Sequence, residues 1–329
     1  MSSVARLPIE EGTSGYLNYL NAAAEPSLYR NGKVLTRRDA DGSDAGMEGV
    51  NRERLQEVIR NARLDGEQRC TLKSNGFELL AQQSVSGVDF LDQHQVVQKY
   101  YGECAEIVQA FTGGKAFAFD HNVRSASGKQ GKKRIAGGQQ VQGPAQIVHG
   151  DYTLTSAPQR LRDLTKPPTG NDTLREVLGE GRSLIAAKMA ERALAEGGRF
   201  AIINVWRNIA EEPVATNPLA LCDAQSVEAQ DLVVFEIHYQ DRIGENYFAK
   251  HSPRHRWYYY PAITRDEALL IKQWDSAGPM ARSQGSKSDA TEPDSPCTFS
   301  FHSAFEDPST PPDAPDRWSI EVRCMVVYD

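Results

Sequence analysis

The sequence predicts a mainly β fold with flanking helices, in which two sheets pack on each other. Segments with helical spacing are concentrated before residue 114, and short runs rich in Val, Ile, Phe, Tyr and Trp follow from Lys115. A chain of 329 residues can bury a sizeable core, and β-barrels of roughly 200–250 residues routinely form one domain. We therefore expect residues 1–114 to form an N-terminal extension with supporting helices, and residues 115–329 to form one core.

The predicted helices follow from the spacing of apolar residues. Residues 51–66 have a helical pattern that ends at a glycine, and residues 90–111 suggest one or two further helices before a Gly-Gly pair. The clearest helix is expected over residues 173–196, with Asp172 as its N-cap. Little helix is expected elsewhere.

Eight runs are predicted as strands, and clusters of Pro, Gly, Asn and Asp separate them. They are residues 116–122, 146–152, 200–206, 232–239, 256–261, 268–274, 297–302 and 318–328. Their number suits a jelly-roll of two packed sheets better than a parallel α/β sheet. The Gly- and Lys-rich segment 125–143 is interpreted as a solvated loop, with a lid over a site as the alternative.

The composition is that of an ordinary globular protein. Lys plus Arg minus Asp plus Glu is 37 − 44 = −7, which argues against binding to nucleic acid or to an anionic membrane. We find neither a secretory leader pattern nor a long apolar run, so a cytoplasmic protein is expected. The five cysteines are scattered without a Cys-x-x-Cys pair, which is typical of reduced thiols.

A histidine and an aspartate lie two positions apart in Ile147-Val148-His149-Gly150-Asp151-Tyr152, at the end of a predicted strand. Because side chains alternate along a strand, His149 and Asp151 share a face and can reach one metal ion. Two histidines with one carboxylate form the facial triad of non-haem Fe(II) oxygenases. The pair alone is a weak pattern, and its alternative is a surface histidine beside a turn aspartate.

Two patterns further along the chain strengthen the metal-site interpretation. A predicted strand ends at His302, and Arg317-Trp318-Ser319 opens the last strand. The guanidinium of Arg317 and the hydroxyl of Ser319 share a face, where they can bind a carboxylate together. Arg323 lies on the same face and is the competing candidate, although it can instead pair with Glu321.

The order of His149-x-Asp151, His302 and Arg317-x-Ser319 resembles that of 2-oxoglutarate-dependent oxygenases on the double-stranded β-helix. Longer motifs are similar to the gibberellin-desaturase-like and cephamycin 7α-hydroxylase-like branch of these enzymes. They are FAIINVWR at 200–207, NPLALCD at 217–223, HRWYYYP at 255–261, DEALL at 266–270 and HSAFEDP at 302–308. The match runs in family order over residues 149–329, more than half of the chain, and the first hundred residues contribute little.

The resemblance implies a cupin-like jelly-roll core in which His149, Asp151 and His302 hold Fe(II). It further implies that 2-oxoglutarate chelates the iron, that O2 is the other co-substrate, and that an arginine pairs with the far carboxylate. Arg317 is favoured over Arg323 for that arginine, with Ser319 beside it. Family members hydroxylate, desaturate or cyclise small metabolites, many of them secondary metabolites, so the resemblance implies the chemistry rather than the substrate.

Three residues are candidates for substrate binding: Tyr152, Asn204 and Trp206. Asn204 and Trp206 share one face of a predicted strand, and their alternatives are a strand-end cap and a plain core residue. Arg207 is either an anchor for a substrate carboxylate or a surface ion pair, and the surface pair is favoured.

Two rival functions remain at this level. One is a metal-dependent barrel oxygenase that needs no keto-acid, and the other is a non-catalytic ligand-binding protein or partner subunit of the same fold. The intact triad argues against loss of activity. We expect a small metabolite as the ligand, and the sequence leaves open whether the chain forms a homo-oligomer or has a partner subunit.

Overall fold

Two sheets form the frame of the protein, and the computed structural model describes residues 11–38, 44–64, 69–83, 87–168, 172–239 and 242–329. The ten-stranded sheet has the order β1 (Gly12–Leu20), β4 (Arg52–Asn61), β12 (Trp257–Tyr259), β9 (Leu219–Cys222), β14 (His302–Ala304), β7 (His149–Gly150), β11 (Ile243–Ala249), β10 (Leu232–His238), β2 (Leu35–Arg38) and β3 (Asp44–Glu48). The five-stranded sheet has the order β5 (Phe77–Ala81), β13 (Glu267–Asp275), β8 (Phe200–Asn208), β15 (Ser319–Val327) and β6 (Lys115–Arg124). The predicted fold class, mainly β with flanking helices, is confirmed.

Helices are short and lie around the sheets. They are α1 (Gln93–Gln95), a π-helical turn (Val96–Tyr100), α2 (Tyr101–Thr112), α3 (Ala126–Gln130), α4 (Ser156–Asp163), α5 (Ala187–Leu194) and α6 (Pro279–Arg282), with 3₁₀ turns at Thr173–Glu176, Ala224–Ser226, Ala229–Asp231 and Asp289–Thr291. α2 packs on the smaller sheet and ends at Gly113, whose N–H donates to the carbonyl of Gln109 and whose φ of 73° turns the chain out of the helix. Within the described ranges, no helix has both the length and the apolar character needed to cross a membrane.

Along the middle strands of the smaller sheet, successive side chains point to opposite faces, and α2 covers one of these faces. β8 and β15 are antiparallel, with Arg323 opposite Asn204 and Ser319 opposite Asn208. The other face of β8 carries Arg207, whose fully buried guanidinium donates to the Glu103 carboxylate of α2 at 3.0 Å. The predicted surface ion pair at Arg207 is therefore wrong, because α2 covers this face of the sheet.

The helix predicted over residues 51–66 is wrong, since residues 52–61 form β4. β4 pairs with β1 over nine of its ten residues, from Gly12 opposite Arg60 to Leu20 opposite Arg52. The apolar residues Leu55 and Ile59 are four positions apart, a spacing that lies on one face of a helix and equally on one face of a strand. Long-range pairing with β1 decides between the two.

The long helix predicted over residues 173–196 is also wrong, because two short helical segments take its place. A 3₁₀ turn covers Thr173–Glu176 and a helix covers Ala187–Leu194. Gly181 between them has a φ of 73°, a conformation that no α-helix contains. As predicted, Asp172 is the N-cap, because its side chain accepts from the backbone N–H of Leu174.

Strand bounds were predicted best where the strands are long. The predictions for residues 116–122, 200–206 and 318–328 correspond to β6, β8 and β15, whereas residues 146–152 contribute only the two-residue β7, and β14 starts at His302 instead of ending there. The strands that were not predicted are β1 to β5, β9 and β11. β1 and β4 extend the larger sheet and β5 extends the smaller one, so N-terminal strands contribute to both.

Tyr19→Phe is expected to lower the free energy of unfolding by about 1–2 kcal/mol, because it leaves a buried N–H without an acceptor. The Tyr19 hydroxyl accepts from Trp257 Nε1 at 2.8 Å, and both side chains are fully buried. Urea denaturation measures the effect as a lower midpoint with an unchanged slope. The matched control is Tyr29→Phe at a half-exposed tyrosine, which should change stability by less than about 0.5 kcal/mol. Equal effects of the two variants would contradict the assignment.

Candidate metal centre

His149 is oriented by the backbone on both sides of β7. The strand pairs with β11 through Phe248 and with β14 through His302. The Nδ1 atom of His149 lies 2.7 Å from the carbonyl oxygen of Ile147, which can only accept, so Nδ1 carries the proton. The lone pair of Nε2 is therefore free to bind a metal.

Three buried side chains converge at this point. His302 is the register partner of His149, and their ring centroids are 4.3 Å apart. Asp151 follows β7, and its Oδ1 lies 3.6 Å from His149 Nε2. One donor atom from each of the three lies within 4.8 Å of the others, and no second group of this kind occurs in the part of the chain that the structure describes.

The protonation states suit a cation. Burial lowers the pKa of His149 to about 4 and also lowers the pKa of His302, so both imidazoles are neutral near pH 7. Burial is the largest single effect on the pKa of Asp151 and raises it, but the Arg323 guanidinium, the two histidines and the Asn204 amide together outweigh burial and hold the pKa of that carboxyl well below its usual range. The donor set is two neutral nitrogens and one carboxylate oxygen, which fits mononuclear Fe(II).

The second oxygen of Asp151 is already occupied. Oδ2 accepts from Asn204 Nδ2 at 3.1 Å and from Nε and Nη2 of Arg323, each at 3.2 Å. The backbone N–H of Asp151 donates to Oε1 of Gln273 at 3.2 Å. Oδ1 is consequently the oxygen that faces the histidines.

Arg317 and Ser319 provide the second polar feature. Both are buried, and the Arg317 Nη1 donates to the carbonyl of Asn217. Among the described residues, neither Arg317 Nε nor Ser319 Oγ has a hydrogen-bond partner. Burial lowers the pKa of Arg317 to about 9, and the neighbouring Arg124 adds to the effect. A buried cation with open donors favours an anionic ligand.

Unpartnered polar atoms cluster around the site. Of eight buried side-chain N and O atoms without a partner in the described ranges, five are here: Asn204 Oδ1, Gln273 Nε2, His302 Nδ1, Arg317 Nε and Ser319 Oγ. Native proteins satisfy nearly all buried polar groups, so such a cluster marks a place where ligands bind.

Several residues of this site were not predicted. Arg124 on β6 is the register partner of Ser319 and donates to the carbonyl of Gly143 at 3.0 Å. Asp120 lies four positions earlier on the same face and pairs with Arg323. Strand parity on residues 116–122 could have identified this face. Gln273 sits in a β-bulge between Lys272 and Trp274, for which the sequence contains no clear pattern.

The predicted substrate residues lie close to the centre. Asn204 contacts Asp151, and Trp206, on the same face of β8, packs under Arg317, whose guanidinium carbon is 5.7 Å from its ring centroid. Burial raises the pKa of Tyr152, the residue after Asp151. Their roles in substrate binding stay predictions.

The fold and the site define a class of protein: a two-sheet β protein that brings two histidines and a carboxylate together in the manner of non-haem iron oxygenases. The profile of the family described as "Oxidoreductase/YMDC permease-like domain" matches residues 17–327. The chain belongs to this family.

Similar proteins include enzymes that use iron and 2-oxoglutarate. A protein of Methylophilus leisingeri, described as an uncharacterized protein in the dcmA 3′ region, is 43% identical over 195 residues, 59% of this chain and 89% of that protein. The alpha-ketoglutarate-dependent dioxygenase phiK of a fungal species is 29% identical over 266 residues, 78% of this chain and 79% of the relative. A solved structure of the iron and alpha-ketoglutarate-dependent endoperoxidase NvfI covers 97% of this chain and 98% of its own, with a TM-score of 0.70 at 21% identity, which shows the shared fold. The predicted resemblance to hydroxylases and desaturases that use Fe(II) and 2-oxoglutarate is confirmed.

Proposed function

We propose that the chain is an Fe(II)- and 2-oxoglutarate-dependent dioxygenase that oxidises an unactivated C–H bond of a small metabolite, by hydroxylation, desaturation or oxidative cyclisation. The observation that carries this proposal is the buried cluster of His149, Asp151 and His302. Relatives named hydroxylase/desaturase and dioxygenase support it. Residues 115–329 would form the catalytic core, with residues 1–114 as its extension.

His149, Asp151 and His302 would hold the iron. Nε2 of His149 is free because Nδ1 donates to Ile147, and Oδ1 of Asp151 is free because other donors occupy Oδ2. Three protein ligands leave coordination positions for co-substrates. The bound metal with 2-oxoglutarate and O2 supplies the oxidising power, and the protein supplies orientation and a dry site.

Arg317 and Ser319 would bind the far carboxylate of 2-oxoglutarate. Their open donors, Nε and Oγ, are buried on the same side of the smaller sheet as Asn204. Arg124 adds positive charge from the next strand. Arg323, the competing candidate, is an unsuitable partner because its donors already contact carboxylates of the protein.

The remaining roles follow from the position of each side chain. Tyr152 and Trp206 would line the space for the substrate, and Asn204 would act through its contact with Asp151. We also propose a cytoplasmic location, which the five free and buried cysteines support.

Anaerobic titration tests the proposed function. Addition of Fe(II) and then 2-oxoglutarate to the full chain should produce a metal-to-ligand charge-transfer band, and candidate metabolites should stimulate succinate formation in air. Fe(II) binding without this band would favour an oxygenase that needs no keto-acid. Absence of Fe(II) binding would favour a non-catalytic protein of the same fold.

A further inference from the structure

We infer that Arg323 is a positioning residue, whose guanidinium fixes one oxygen of Asp151 so that the other faces the metal. This inference rests on the proposed iron site. It assigns Arg323 a role different from the co-substrate contact for which the sequence made it a candidate.

The contact between the two side chains is one-sided. Nε and Nη2 of Arg323 both donate to Oδ2 of Asp151 at 3.2 Å, and Asn204 adds a third donor to the same oxygen at 3.1 Å. Three donors on Oδ2 leave it little capacity for a metal. Oδ1, 3.6 Å from His149 Nε2, remains the available ligand atom.

Arg323 is itself held by other residues. Nη1 donates to Asp120 Oδ2 at 3.0 Å, and Nη2 donates to Glu321 Oε1 at 3.2 Å. When the Asn122 amide is oriented to satisfy both of its polar atoms, its oxygen accepts from Nη1 at 2.9 Å. With the two contacts to Asp151, each of the five N–H groups of the guanidinium has an acceptor. A side chain held on all sides can impose an orientation on Asp151.

This arrangement has a clear chemical consequence. A carboxylate with two free oxygens can bind a metal through one oxygen or both, and can rotate between the two modes. Hydrogen bonds to the outer oxygen favour binding through one oxygen and reduce the cost of ordering the ligand. A planar guanidinium can direct two N–H groups at the same carboxylate, which a lysine ammonium cannot do with fixed geometry.

Simple electrostatics would predict the opposite effect on metal affinity. A cation beside a metal ligand repels the metal, so removal of Arg323 would strengthen binding if charge were dominant. The Asp120 and Glu321 carboxylates contact the same guanidinium and offset its charge. We therefore expect the loss of orientation to outweigh the loss of repulsion.

Titration of the metal-free full chain with Co(II) alone tests the inference. Arg323→Gln should weaken Co(II) binding by about 10–100-fold and change the visible ligand-field spectrum, because loss of an outer partner of a metal ligand has effects of this size. Arg323→Lys should weaken binding too, since it keeps the charge without the planar fork. Wild-type affinity in either folded variant would overturn the inference.

A matched control comes from the same sheet. Arg199, the residue before β8, also directs Nε and Nη2 at one carboxylate, that of Asp275, but it contacts both oxygens, Oδ1 at 3.0 Å and Oδ2 at 2.7 Å. Asp275 is not part of the metal cluster, so Arg199→Gln should leave Co(II) affinity and spectrum unchanged. A loss of affinity equal to that of Arg323→Gln would show a general effect on stability and would overturn the inference.

A charge-matched variant separates orientation from charge. Arg323→Gln with Asp120→Asn removes one positive and one negative charge together, and it should still bind Co(II) weakly with the altered spectrum. Recovery of wild-type affinity would assign the effect to charge and overturn the positioning role.

His302→Ala tests the metal site itself, because it removes one of the proposed metal ligands. If the wild-type chain binds no Co(II), or His302→Ala binds it equally well, the proposed function fails; if only Arg323 has no effect, the inference alone fails.

Discussion

His302→Ala is expected to lower both Fe(II) affinity and turnover by more than about 100-fold, since loss of an outer partner of a metal ligand already costs about 10–100-fold. His302 is buried opposite His149 and is one of three donors within 4.8 Å of one another. Its removal leaves one imidazole and one carboxylate, which is too few ligands to retain the metal in competition with water. Titration with Fe(II) under anaerobic conditions and succinate formation in air measure the two losses.

His238→Ala is the control for this experiment. His238 lies on β10 of the same sheet, is about one-third exposed, and pairs with Glu236 at 2.9 Å. Its removal should change neither metal affinity nor turnover beyond about twofold, because surface substitutions away from a site cost little. Wild-type Fe(II) binding by His302→Ala would contradict the proposed ligand set.

Arg317→Gln should raise the KM for 2-oxoglutarate about 100-fold, because a hydrogen-bonded buried charge pair is worth roughly 2–5 kcal/mol. Arg317 is 2% exposed, and no carboxylate among the described residues pairs with its guanidinium, so its partner is expected to be the co-substrate. Steady-state kinetics with varied 2-oxoglutarate measure the change. Ser319→Ala should have a smaller effect, about tenfold, because it removes one hydrogen bond from an uncharged donor and leaves the charged pair with Arg317 in place.

The keto-acid 2-oxopentanoate, which lacks the far carboxylate, makes this second test specific. Arg317→Gln should affect binding of 2-oxopentanoate much less than binding of 2-oxoglutarate, since the lost contact is to the missing group. An equal effect on the two acids would assign Arg317 a general structural role. An unchanged KM for 2-oxoglutarate would return Arg323 to consideration as the co-substrate residue.

The residues of the proposed metal centre could be selected from the sequence because strand parity is a local rule. Two residues two positions apart on a strand point to the same face, and this rule groups His149 with Asp151 without reference to the rest of the chain. In the structure β7 ends at Gly150, so the loop after the strand, and not strand parity, brings Asp151 to His149. The same rule groups Asn204 with Trp206, which both lie on β8, and Arg317 with Ser319, although β15 begins only at Ser319. By contrast, local spacing is ambiguous over residues 52–61, where pairing with β1 produces a strand from a pattern that also suits a helix.

Parity places Arg317 and Arg323 on one face but cannot distinguish their roles, because a role depends on partners that are distant in sequence. Arg323 meets Asp120 from β6 and Asp151 from the end of β7, and these contacts use its donors. Arg317 meets Trp206 and the carbonyl of Asn217, and keeps an open donor. Residue types and their spacing thus predict a His–Asp–His centre and a carboxylate-binding face. The packing of distant strands determines which arginine contacts Asp151 and which keeps an open donor, since charges and hydrogen bonds act through space and not along the chain.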